Sequence, residues 1–198
     1  MNDGLIEKIE ELVEQKLDTR LNVLEEQIKT LLSQVEGQKE PSHSNRLTLV
    51  AFSSDMDKLL AAFIIATGAA AVGMEVSIFF TFWGLTALRK KTTYQGKPAL
   101  KKIIGAMLPS GPNSVGTSNM NMCGMGPSFF KTLMKKDNIA SLPELIDLAQ
   151  ELDVELTACQ MSMGLMGIER TELLDGIEYG GVAAYLEKAA NSKITLFV

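Results

Sequence analysis

Two cysteines, one histidine and one tryptophan are all that this 198-residue chain has of those types, and their scarcity narrows its chemistry. A structural zinc site of the cysteine–histidine kind needs four ligands, and Cys123, Cys159 and His43 cannot supply them. Two thiols make no disulfide framework of the sort that staples small secreted domains. His43 lies beside Pro41 and Ser42 in a polar stretch and reads as solvated rather than catalytic. At the start of the chain, Asn2 to Leu17 is studded with Glu and Lys instead of carrying an apolar h-region. No secretory signal is therefore read, and a cytoplasmic location is expected. A spanning helix needs about 20 apolar residues, whereas the apolar run Leu59 to Met74 has 16. A second apolar run reaches Leu88, so a membrane hairpin is one reading. The Ala/Gly-rich first run followed by the β-rich Val76–Phe82 fits better as a buried helix feeding a central strand. Aromatics are 6% of the chain and the net charge is −5, which weighs against a nucleic-acid surface. There is no G-x-x-x-x-G-K-[ST]. The pair Gly124-x-Gly126 lacks its third glycine, since position 129 is Phe, so no nucleotide cofactor is expected.

What the chain does have is 46% hydrophobic residues, enough for one buried core plus an appendage. The charge is unevenly placed. Residues 1–36 carry nine acids and four bases, a net −5, and the remainder is neutral. Within that acidic segment Leu17, Leu21, Leu24, Ile28, Leu31 and Val35 repeat at alternating spacings of four and three, a heptad seam with Leu at d and Leu, Ile or Val at a. Leu5, Ile9 and Leu12 follow the alternation in another phase, implying a stutter. Residues 1–36 are thus expected to form a coiled-coil or oligomerisation helix, 37–45 a linker, and 46–198 the globular domain.

Strand and helix signals alternate through that domain. Arg46–Phe52 reads as a strand, Ser53–Asp57 as a polar turn, Lys58–Val72 as a buried helix, Val76–Phe82 as a strand, and Trp83–Lys91 as a short helix. Ser141-Leu-Pro-Glu144 is a capping box opening a helix to Leu152. Val154–Ala158 is the next strand. Leu173 is placed in a further helix, Val182–Asn191 in the last one, and Ile194–Val198 in a terminal strand. The fold class expected is α/β, with a mainly parallel sheet flanked by helices and preceded by the heptad helix.

Cys159 ends the alternating run Val154-Glu-Leu-Thr-Ala158, which delivers a thiol from a strand to a turn. Helical N–H groups there would stabilise a thiolate, although a free cysteine is often just a small buried hydrophobe. Arg89, Lys90, Lys91, Lys97, Lys101, Lys102, Lys131, Lys135 and Lys136 lie in a segment without an acid, a positive field that favours a thiolate or an anionic partner. Met120-Asn-Met-Cys-Gly-Met-Gly126 is expected to be an irregular loop. Methionines flank both cysteines (Met120, Met122, Met125; Met161, Met163, Met166). Thioether and thiolate together suit Cu(I), but adaptable apolar packing is the plainer use, and no metal is assigned. The pocket around a sulfur adduct on Cys159 is expected from Met120, Met122, Gly124, Met125, Gly126, Gln160, Met161, Ser162 and Met163, with Cys123 as a second thiol.

Thr157-Ala-Cys-Gln-Met-Ser-Met163 with Met166-Gly-Ile168, Asn119–Met122 with Gly124–Gly126, Leu49-Val-Ala-Phe-Ser53 and Phe79-Phe-Thr-Phe-Trp-Gly84 together resemble the DsrE/DsrF-like sulfur-transfer family, in its subgroup with a long Met-rich insertion. The resemblance covers about Arg46 to Val198 and leaves out the heptad helix. It implies a three-layer sandwich assembling into homo-oligomers, with sulfur held as a persulfide on Cys159. It also implies rhodanese-type or TusA-type sulfurtransferases as donor or acceptor. Three positions depart from the pattern: Cys123 and Asp153 stand where glycine is usual, and Gly164 where aspartate is usual. The function expected is a sulfur carrier or sulfurtransferase. The alternatives are a two-cysteine redox protein using Cys123 and Cys159, and a non-enzymatic homo-oligomeric assembly or ligand-binding module.

Overall fold

The computed structural model describes residues 15–30, 44–119, 121 and 124–198, in two units, Met1–Ser42 and His43–Val198. Leu5, Ile9, Leu12, Leu31, Val35, His43, Met120, Met122 and Cys123 lie outside the described residues. In the first unit, residues 15–30 form helix α1, and every described side chain on it is exposed, including Leu17, Leu21, Leu24 and Ile28.

In the second unit, β1 (Ser44–Ala51), β2 (Glu75–Phe80), β3 (Glu155–Cys159), β4 (Glu178–Gly180) and β5 (Ser192–Phe197) form one sheet in the order β4-β3-β2-β1-β5, and every adjacent pair is parallel. The β-branched and aromatic content of β1, β2 and β3, buried on both faces, is what the middle of a parallel sheet requires, while the edge strands β4 and β5 are largely exposed or half-buried. Leu47, Leu49 and Ala51 of β1, Val76, Ile78 and Phe80 of β2, and Leu156 and Ala158 of β3 face a core closed by α2 (Met56–Ala71) and α5 (Leu142–Glu151). The opposite face meets α7 (Val182–Ala190), whose Tyr185 ring sits 5.4 Å from that of Phe79. The result is an α/β three-layer arrangement. The Ser141–Glu144 capping box is formed, with the Ser141 N–H donating to the Glu144 carboxylate at 2.7 Å. Among the described residues no helix is long and apolar enough to cross a membrane.

The remaining elements depart in detail from the sequence expectations. Trp83–Leu88 belongs to a 3-10 helix over Phe82–Leu88. Leu173 is not helical: a 3-10 turn over Arg170–Glu172 ends before it, and Leu173 bridges Arg89 in extended conformation. Strand β4 was not expected, since three residues are too few to show a period. The loop expected through Gly126 stops earlier. Gly124, at φ +91°, caps helix α4 (Met125–Lys136), so Met125 and Gly126 are helical. A further helix, α3 (Ala99–Met107), carries Leu100, Ile103, Ile104 and Met107 at helical spacing. Asp153, following α5, has φ +57°, which explains why glycine is the usual residue there.

Candidate functional site at Cys159

Cys159 is both the last residue of β3 and the N-cap of α6 (Gln160–Met166), so strand passes to helix with no loop between. This puts its sulfur at the carboxyl ends of parallel strands, the position where open α/β sheets hold ligands. The side chain is 3% exposed. Burial pushes the thiol up. It is outweighed by the Ser162 hydroxyl and N–H, the Thr81 hydroxyl and the Met161 N–H beside the sulfur, which together hold the thiol below its ordinary value. What lowers the thiol is thus the two hydroxyls and the N–H groups at the start of α6.

Thr81 is the partner that sequence reasoning missed. The register pairs Phe80 with Ala158, and one further step along the parallel strands sets Thr81 beside Cys159. Its hydroxyl lies 2.8 Å from that of Ser162. Two hydroxyls carry two protons, so when one donates to the other, only the acceptor's own proton is left for the sulfur. The chain turns sharply just after Thr81: Phe82 has φ +46°, a conformation that bulky side chains rarely hold. Gly84 follows, donating its N–H to the Phe52 carbonyl at 2.9 Å, and a side chain there would collide with the Ala51 carbonyl. The Phe79–Gly84 motif is therefore the turn that fixes Thr81 against the β3–α6 junction.

The other expected pocket residues are distributed differently. Ser162, through side chain and backbone, and Met161, through its N–H, act to lower the thiol, while the Met161 side chain is 68% exposed. Met163 is buried in the core beneath α6. Gln160 is exposed, as is Met125, and the N–H groups of Gly124 and Gly126 donate to the Asn121 carbonyl. Gly164 has open space where a side chain would go. Among the described residues no group of three or more His, Cys, Asp and Glu side chains could hold a metal. A groove of about 640 Å³ runs between α4 and α5, walled by Met134, Lys135, Ile139 and Leu142, and Cys159 is not part of its wall.

The basic segment is less free than its composition suggests. Glu172, fully buried, accepts hydrogen bonds from Lys97, from Arg89 at 3.4 Å, and from the Thr93 and Glu169 N–H groups at 2.7 and 2.8 Å. Arg89 also donates to the Pro109 carbonyl and the Thr92 hydroxyl. Burial pushes the Glu172 carboxyl up, but Lys97 and the two N–H groups outweigh it and leave the group below its ordinary value. Lys90 pairs with Asp175. Acids from a later part of the chain thus engage Arg89, Lys90 and Lys97 and pin the start of the basic segment to the β3–β4 connection.

The profile described as the DsrE/DsrF/DrsH-like family matches residues 43–197. The chain belongs to that family. It is 51% identical over 156 residues to a Bacillus subtilis protein named only as uncharacterized protein YrkE, covering 78% of this chain and 98% of the relative. It is 37% identical over 157 residues to the sulfur carrier protein DsrE2 of Allochromatium vinosum, covering 77% of this chain and 98% of the relative. The crystal structure of the ychN protein from E. coli aligns with a TM-score of 0.45 at 12% identity, over 77% of this chain and 98% of that one. In this DsrE/DsrF/DrsH-like chain, the matched region begins after α1 and contains the whole β-sheet.

Proposed function

We propose that this protein is a sulfur carrier: Cys159 takes up sulfane sulfur as a persulfide and passes it to an acceptor thiol. The observation that carries the reading is the set of hydrogen-bond donors converging on one strand-end sulfur, which favours the thiolate. The thiolate attacks the terminal sulfur of a donor persulfide R–S–SH. A new S–S bond forms on Cys159, the donor's S–S bond breaks, and R–S⁻ leaves. An acceptor thiolate then attacks the outer sulfur, and Cys159 departs as the thiolate that the same donors stabilise. No external oxidant is consumed. The name of the Allochromatium relative, a sulfur carrier protein, supports this class of chemistry. Rhodanese-type or TusA-type sulfurtransferases are the proposed donor or acceptor, and the protein is proposed to work as a cytoplasmic homo-oligomer with residues 1–36 as its self-associating helix.

The test is intact mass after reduced protein is incubated with thiosulfate or polysulfide. Wild type is expected to gain about one sulfur atom, reversibly under reductant. Cys159→Ser loses the gain and Cys123→Ser keeps it. Retention in Cys159→Ser would move the site to Cys123.

One observation favours a second reading. A sulfur that is 3% exposed suits an inert thiol in an assembly or ligand-binding module. Failure of folded wild type to gain mass with either donor would favour it.

A further inference from the structure

We propose that α1 pairs with α1 of a second copy as a parallel, in-register two-stranded coiled coil, its orientation selected by Arg20 of each chain facing Glu25 of the other. This rests on the reading of residues 1–36 as a self-associating helix and adds its geometry. The described helix buries none of its side chains: Leu17, Leu21, Leu24 and Ile28 are 58%, 49%, 55% and 55% exposed. Four large apolar groups at spacings of four, three and four form one stripe that water would otherwise face. With Leu17 and Leu24 at d, and Leu21 and Ile28 at a, no polar residue interrupts the seam. Leucine at d with a β-branched residue at a, as at Ile28, is the combination that suits two parallel strands.

The flanking charges choose the orientation. Asp18 and Glu25 fall at e, Arg20 and Gln27 at g. In a parallel pair each g residue lies across from the e residue of the next heptad on the other chain, so Arg20 meets Glu25, twice by symmetry. An antiparallel pair sets e against e and g against g. Within the described helix that opposes acids to acids along one flank, and Arg20 to itself or to glutamine along the other. Among the described residues neither Arg20 nor Glu25 forms an ion pair within its own chain. Both charges are therefore open to the second copy.

The experiment uses the full chain. Sedimentation equilibrium of wild type and Leu24→Asp tests the underlying self-association: the substitution is expected to lower the assembly's mass, and an unchanged mass would refute a self-associating helix. Orientation is read in a Cys123→Ser/Cys159→Ser background carrying either Leu17→Cys or Ile28→Cys. Both variants are expected to form interchain disulfides under mild oxidation, because only a parallel, in-register pair brings each position opposite itself. An antiparallel pair can do so at one position at most. Cross-linking at one position or neither, with mass still sensitive to Leu24→Asp, would overturn the parallel arrangement alone. Arg20→Glu and Glu25→Arg should each weaken association about tenfold, and the double reversal should restore it. Equal association of all four charge forms would overturn the Arg20–Glu25 contact.

Discussion

At the scale of single residues, Cys159 depends on two hydroxyls that share a hydrogen bond, and the sharing shapes what substitution does. Removing either hydroxyl frees the other to serve the sulfur, so Ser162→Ala and Thr81→Val are each expected to raise the thiol pKa modestly. The double variant should raise it by about 1–2 units, more than the singles add up to. Thiolate ultraviolet absorbance against pH measures this, and strictly additive shifts would refute the shared-donor arrangement. Gly164 supplies a second prediction. It sits inside α6 with empty space at its Cβ position, so Gly164→Ala should stabilise the fold by about 1 kcal/mol, read as a higher urea midpoint. The place of Cys159 at a strand end was legible in the sequence because β-alternation ends on it. Thr81 was not, because its proximity follows from the β2–β3 register, which one strand's pattern does not contain.

At the scale of elements, the clasp on Glu172 joins two connections that have little sequence signal of their own. Arg89, Lys97, Thr93 N–H and Glu169 N–H converge on one buried carboxylate, and removing its charge leaves two buried cations without their counter-ion. Glu172→Gln is expected to cost about 3–5 kcal/mol in chemical denaturation. A loss under 1 kcal/mol would show that the cluster is hydrated and loose. The sequence presented Arg89 to Lys136 as a run of free positive charge, and Arg89, Lys90 and Lys97 are instead engaged by acids some 80 residues later. Helix α3 is a different case: Leu100, Ile103, Ile104 and Met107 already spell a helical face, whereas β4 is too short to be read. The 3-10 turn before Leu173 exists because Glu172 turns inward, and no local pattern announces that.

At the scale of the whole molecule, pH acts on stability through these same groups. Glu172 titrates below its ordinary value in the folded state, so its contribution is complete above that ordinary value, near pH 4.5, and is lost as pH falls through the folded one. Wild type should therefore lose stability on acidification below pH 4.5, and Glu172→Gln should lose less over the same range. Cys159, also lowered, contributes fully above the ordinary thiol value and loses that contribution as pH falls through its folded one. The α/β class was visible in the sequence because β3 alternates, α5 opens on a capping box, and the apolar runs of α2 and β2 differ in composition, one Ala/Gly-rich and the other β-branched and aromatic. Strand order was not, since it depends on pairings that only the closed sheet makes. One pairing spans most of the chain. Strand β1 lies between β2 and β5, and its β5 partner residues come roughly 150 positions later. β1 is thus made long before the strand that covers its outer edge. Until β5 arrives its outer edge is unpaired and apolar, the kind of edge on which a second chain can add a strand.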